Sequence, residues 1–437
     1  MRSNHNARPR LLFADGQGQV YDHPYLEMAG FNGFQEVIPS PGDLIPLPPY
    51  SKLFYLPHCP PVGYDRRAGR FVTLTHTRIE GKQQPCHALA AFMEPGYVRT
   101  LLPSALYAQK NYVLPMWAYT AVGFFKAKYA ACGFQVEDNP AWNPQNYDDR
   151  TLPKAIEKAL HRYSHNRLVQ HLARCAVDNH CFAAKNLFWV RWEAPLPVSR
   201  SCNAACLGCL SQQPKDSCPP SHKRIQFRPR VSDIVEIAVR HLEHAEGAIV
   251  SFGQGCEGEP LTEADLIAES IREIRRHTAK GVINLNTNGS LTAKVLHLVD
   301  SGLNSIRISL NSARPELYHA YYRPKGYSFD DVLCTIAKCV EQHIYTMINY
   351  LVFPGVTDQE AEIEAIFDLI RQTGLHFIHF KNLNIDPDVY LNAMSERGKS
   401  QVVGIKEVVR KLSSAFPHLR IGYFNQQISE VSDQLSG

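Results

Sequence analysis

The chain has 437 residues, 44% of them hydrophobic and 20% charged, which excludes intrinsic disorder, collagen-like repetition and a disulfide-stapled miniprotein. Its 46 basic and 42 acidic residues leave a formal charge of +4, without the long like-charge block of a dedicated nucleic-acid binder. No apolar run reaches the roughly 18 residues of a membrane span, and Met1-Arg2-Ser3-Asn4-His5-Asn6 leads into no signal-peptide core, so a cytoplasmic protein is expected.

Proline divides the chain, with 17 of the 29 before residue 186. This first part, 1–185, is expected to be a β-rich domain serving a substrate or a partner. Short apolar stretches at 11–13, 53–56 and 71–74 read as strands, with Asp15-Gly16-Gln17-Gly18 as a hairpin turn. Ile156, Leu160, Tyr163, Leu168 and Leu172 recur at helical spacing, so a helix is expected to close the region. From 186 to 395 strands and helices alternate. Strands are expected at 187–193, 248–252, 282–286, 305–310, 346–353 and 376–380, and helices near 231–244, 262–278, 291–300, 328–342 and 358–373. Such units imply a parallel sheet, and six strands predict a partial (β/α)6 barrel of TIM type in an α/β protein. A short extension, 396–437, carries a helix near 400–414 and a strand at 420–424.

Twelve cysteines in a reducing compartment point to metal or chemistry rather than a disulfide framework. Three crowd into Ser201-Cys202-Asn203-Ala204-Ala205-Cys206-Leu207-Gly208-Cys209. Thiolates at C-x3-C-x2-C spacing suit zinc or an iron–sulfur cluster. Zinc would need a fourth ligand such as Cys218 or His222. A cluster held by only three would keep one iron open to a small molecule.

The cysteine loop resembles that of the radical S-adenosylmethionine (radical SAM) superfamily, and later motifs follow in the same order over about 186–390. The resemblance implies a 4Fe-4S cluster on Cys202, Cys206 and Cys209. Its open iron is chelated by S-adenosylmethionine, which is reductively cleaved to a 5′-deoxyadenosyl radical that abstracts hydrogen from a small-molecule or peptide substrate. An electron donor such as a flavodoxin or ferredoxin is implied as partner. The family usually places an aromatic residue before the last cysteine. Here Gly208 stands there, leaving Leu207 and Leu210 as local candidates for packing around the adenine.

Gly253, Gly255 and Gly258 satisfy G-x-G-x-x-G, but the next strand ends in Asn286-Thr287 and not in the acidic residue a dinucleotide ribose needs. Gly258-Glu259-Pro260 instead resembles the family's Gly-Glu-Pro segment, whose backbone binds the methionine ammonium group. Asn288 sits in a turn resembling the family's Thr-Asn-Gly. On the next strand Arg307, Ser309 and Asn311 share one face. The resemblance makes Arg307 a carboxylate contact, and Ser309 and Asn311 ribose contacts. Asn349 and the Pro354-Gly355 turn are expected near the adenine, with Thr357 or Asp358 as a helix cap. The run 381–387 is either a substrate-facing rim or a solvated loop. Cys175, Cys181, Cys218 and Cys256 lack tight spacing, so a single cluster is expected. No hydrogen or proton donor stands out. Two readings remain as alternatives: a non-catalytic zinc or iron–sulfur interaction protein and, within the family, a radical methyltransferase.

Overall fold

The structure is a computed structural model describing residues 8–107, 111–395 and 401–425; Met1–Asn6 and the chain after 425 lie outside them. Seven parallel strands form one sheet in chain order: Glu193–Pro195, Ile249–Phe252, Val282–Thr287, Ser305–Leu310, Tyr345–Val352, Phe377–Asn382 and Arg420–Gly422. Helices Val231–His244, Ala264–His277, Thr292–Asp300, Phe329–Glu341 and Glu360–Thr373 link the middle strands. The alternation in strand 305–310 shows how the layers form. Ile306, Ile308 and Leu310 are fully buried in the main core, while Arg307 and Ser309 line an interior cavity. Period-2 side-chain geometry makes this division automatic.

The barrel is open between its first and seventh strands, which are the two edges of the sheet. Asn425 reaches across the gap, its Nδ2 donating to Glu193 Oε1 at 3.1 Å. The seventh strand pairs in parallel with the sixth, Phe377 opposite Arg420, so the expected C-terminal strand extends the barrel beyond the predicted six.

The first barrel strand differs most from expectation. Residues 187–193 were apolar enough for a strand, but Phe182–Trp189 is a helix that ends at Val190 in the left-handed region. Only Glu193–Pro195 joins the sheet. The helix expected near 152–176 is two helices, Leu152–Arg162 and Arg167–Asp178. Asn166 separates them by accepting from the amides of Leu168 and Val169, a local hydrogen bond that competes with helix continuation. The short helices Pro315–Tyr322 and Pro387–Met394 also went unread, since each is only eight residues long.

The N-terminal region is mainly an antiparallel sheet of ten strands, and it is bolted to the barrel. The Arg99 guanidinium is fully buried; it donates to the Leu383 carbonyl at 2.8 Å and lies 4.8 Å from the Phe353 ring centroid. Asn382 accepts from the Arg99 amide and donates to the Tyr97 carbonyl, and Asp386 accepts from the Leu114 amide. Run 381–387 is therefore an internal seam, not a solvated loop. Gly33 and Gly355 meet back to back, each at positive φ, and a Cβ on Gly33 would stand 2.3 Å from the Gly355 Cα. Only glycine permits that approach. Thr357 and Asp358 cap the Pro354-Gly355 turn by accepting from the Phe353 and Gly355 amides, while Gln359 takes the helix N-cap.

Candidate active site

The cysteine loop has no regular structure of its own, and neighbouring segments hold its backbone. Ala205 and Leu207 amides donate to the carbonyls of Tyr322 and Tyr321, and Gly258 and Glu259 amides to those of Ser199 and Ser201. Gln213 Nε2 donates to the carbonyls of Leu207 and Cys209 at 3.0 and 2.9 Å. Asn288 Nδ2 donates to Asn203 Oδ1 at 2.8 Å, and Asn203 Nδ2 to Ser290 Oγ. Burial pushes the Cys206 thiol well above, and the Cys202 thiol above, the ordinary thiol value. A ligand that takes these sulfurs as thiolates must displace their protons.

Two buried carboxylates stand near the cysteine loop: Glu259 belongs to the expected Gly-Glu-Pro segment, while Glu257 escaped the sequence reading. Glu257 accepts from four amides, those of Val198, Ser199, Gly253 and Gln254, all within 2.9 Å. It thereby fastens the approach to the cysteine loop onto the glycine-rich turn. Glu259 accepts from the Leu261 and Asn288 amides and from the Thr287 hydroxyl, tying the Gly-Glu-Pro segment to the Thr-Asn-Gly turn. Desolvation raises both carboxyls to about 7 against these hydrogen bonds. The signal for Glu257 in the sequence was the acid repeated in Cys256-Glu257-Gly258-Glu259. A Cβ on Gly258 would lie 1.9 Å from the Ser201 carbonyl oxygen, so this glycine is required by the close approach of two loops.

A cavity of about 550 Å3 lies beside the loop. It brings together Cys206, Cys209, Arg307, Ser309 and Asn349. Arg307 Nε donates to Asn286 Oδ1 at 2.9 Å, and Asn349 Oδ1 is buried without a hydrogen-bond partner. Cys202, Gly258, Glu259, Pro260, Asn288 and Asn311 are not among the lining residues. Asn311 instead donates to the Leu317 carbonyl and the Tyr390 hydroxyl, packed between two helices that the sequence reading had not placed.

Gly208 resolves the missing aromatic. A Cβ there would sit 2.6 Å from the Tyr321 hydroxyl oxygen, and Tyr321 lines the cavity next to Cys206 and Cys209. The aromatic ring comes from helix Pro315–Tyr322 rather than from the loop. Leu210 also lines the cavity; Leu207 does not.

Residues 196–370 match the model of the Radical SAM superfamily. That segment is a radical SAM domain. Members of that superfamily bind a 4Fe-4S cluster and S-adenosylmethionine. The chain is similar to GTP 3′,8-cyclase of Limosilactobacillus fermentum, with 24% identity over 49% of this chain and 59% of that protein. It is also similar to a probable GTP 3′,8-cyclase of Methanococcus maripaludis, with 29% identity over 42% and 57%. The chain thus spans less than two thirds of the length of these relatives. Among solved structures, a radical SAM methyltransferase from Sphaerobacter thermophilus aligns with a TM-score of 0.39 and 14% identity, covering 54% of this chain and 67% of that one. Among the described residues no helix is long and apolar enough to cross a membrane.

The residues present fit the cofactors. Cys206 and Cys209 face a cavity that also holds a buried, unpartnered amide oxygen on Asn349. Among the described residues, the trio of ligand atoms drawn within 4.8 Å of one another, close enough for one ion, is not this loop's. A multi-iron cluster needs thiolates set farther apart than one zinc ion does.

Proposed function

We propose that Cys202, Cys206 and Cys209 ligate the cluster and that Arg307, Ser309 and Asn349 face S-adenosylmethionine in the adjoining cavity. Gly258, Glu259, Pro260 and Asn288 position the loops around it, and Asn311 acts only through packing. When bound, the two cofactors supply reductive cleavage to a 5′-deoxyadenosyl radical, which abstracts hydrogen from substrate. The chain's own residues position and shield. Arg307 offers a half-buried cation, Asn349 an amide in the same cavity, and Tyr321 an aromatic edge next to the cysteines. An electron donor of the flavodoxin or ferredoxin type would dock from outside.

The observation that carries this reading is the single cavity shared by two loop cysteines and the polar ends of three successive strands. Its remaining wall suggests where substrate sits. Phe92, Met93 and Trp142 come from the N-terminal region, and Lys381, Tyr423 and Phe424 from the sixth strand and the tail. All lie outside the matched residues 196–370. The Lys381 ammonium lies 3.4 Å from the Tyr423 ring centroid, and burial and Arg307 lower its pKa well below the usual lysine value. An anionic group on the substrate would favour the charged form of Lys381 and meet the Arg307 guanidinium, which lies 4.0 Å from Glu193. The names of the cyclase relatives are consistent with a phosphorylated substrate.

The test is anaerobic reconstitution with iron and sulfide, followed by electron paramagnetic resonance with and without S-adenosylmethionine. A reduced cubane signal that changes on adding the cofactor, and 5′-deoxyadenosine formed under reductant, are expected. Zinc in the loop, or a cluster indifferent to S-adenosylmethionine, would overturn the assignment.

A further inference from the structure

A second sulfur centre lies away from the 202–209 loop. His171 and Cys175 stand four residues apart on helix Arg167–Asp178, a spacing that puts both on one face. Cys256 arrives from the glycine-rich turn, 81 positions further on by its residue number. The three are 6%, 3% and 4% exposed, and one ligand atom from each lies within 4.8 Å of the other two. His171 Nε2 and Cys175 Sγ are 3.6 Å apart. With zinc–sulfur and zinc–nitrogen bonds of ordinary length, the edge of a tetrahedral site is also about 3.6 Å.

His222 adjoins this trio. Its Nδ1 is buried with no hydrogen-bond partner, and a Cβ on Gly255, next to Cys256, would lie 3.7 Å from that atom. The Cys256 carbonyl meanwhile accepts from the Ile225 amide at 2.8 Å, holding segment 222–225 against the turn. An unsatisfied buried imidazole nitrogen is costly unless something accepts its lone pair.

We propose that His171, Cys175, Cys256 and His222 form a structural site for a zinc-class divalent ion. Two thiolates and two neutral imidazoles balance the dication, so the centre is neutral in a buried setting, and binding releases the two thiol protons to solvent. The ion cross-links helix Arg167–Asp178 to the turn whose next residue, Glu257, clamps the approach to the cysteine loop. The site stands independently of the cofactor assignment above.

The experiment measures metal in the full-length C202A/C206A/C209A variant, which removes the loop's thiols as competing ligands. About one zinc per chain is expected, with an X-ray absorption edge showing two sulfur and two nitrogen donors. Adding H171A or C256S should remove that zinc. A zinc-free triple variant, a shell without sulfur, iron and sulfide retained in place of zinc, or a Cys175–Cys256 disulfide by mass spectrometry would each overturn the proposal. Because C256S disturbs the core, the edge spectrum of the triple variant decides without it.

Discussion

The two sulfur centres are built in opposite ways. Cys202, Cys206 and Cys209 come from one irregular loop, partly accessible and held by carbonyls and carboxylates of its neighbours. His171, Cys175 and Cys256 are buried, sit on a helix and a distant turn, and meet only because the core packs those elements together. The first arrangement suits a group that reacts with something entering a cavity. The second suits one that stays put. Glu257 connects them, since its carboxylate holds the cysteine loop while its neighbour Cys256 faces the helix.

The sharpest break between the centres is expected from Cys206→Ala. It should reduce 5′-deoxyadenosine formation to background in a liquid-chromatography assay while leaving zinc at the second centre intact. If product persists, Cys206 does not hold the cluster.

Gly258→Ala comes next. Its methyl would fall 1.9 Å from a backbone carbonyl, and displacing two loops is expected to cost about 2–4 kcal/mol. Chemical denaturation should show that loss together with lower iron occupancy. Gly208→Ala makes a milder comparison, because the atom it meets is the far end of the Tyr321 side chain.

Stability should also depend on pH through the buried acids. Glu259 is raised from 4.5 to about 7 by burial. Between those values the folded protein keeps a proton that the unfolded chain has released. The contribution is therefore full below about pH 4.5 and is lost as pH rises through about 7, by about 3 kcal/mol at most. Urea midpoints of the metal-free protein should fall from pH 5 to pH 8, and E259Q should flatten the slope without abolishing it, since Glu257 shifts the same way. An unchanged slope in E259Q would show that this carboxyl is not a source.

Arg224→Met is the smallest effect expected. Arg224 Nη2 lies 3.6 Å from Cys209 Sγ, and a donor to a ligating sulfur stabilises the reduced, more negative cluster. Redox titration should show a lower potential in the variant, with zinc content unchanged. An unchanged potential would place Arg224 outside the cluster's field.

How much was legible depended on how local each signal was. C-x3-C-x2-C and Gly-Glu-Pro are contiguous, and helices 231–244 and 358–373 carry their period within one segment, so their residues announced them. Strand 187–193 failed because a short apolar run fits helix and strand alike, and Val190 ends the helix only in its tertiary setting. Asn311 shared a strand face with Arg307 and Ser309 on paper. In the fold it lies one residue beyond Ser305–Leu310 and turns towards two short helices.

The sequence by itself determined the repeating strand–helix order and the spacing of the cysteine loop, because side-chain period and ligand spacing act over a few residues, and its contiguous motifs carried the resemblance to the radical SAM superfamily. Only the tertiary structure decided that Tyr321 fills the place beside Gly208, that Lys381 and the tail wall the cavity, and that His171 meets Cys256. Those contacts join segments tens to hundreds of residues apart. Their energy comes from burial and hydrogen bonding in the assembled core, and no local pattern along the chain encodes it.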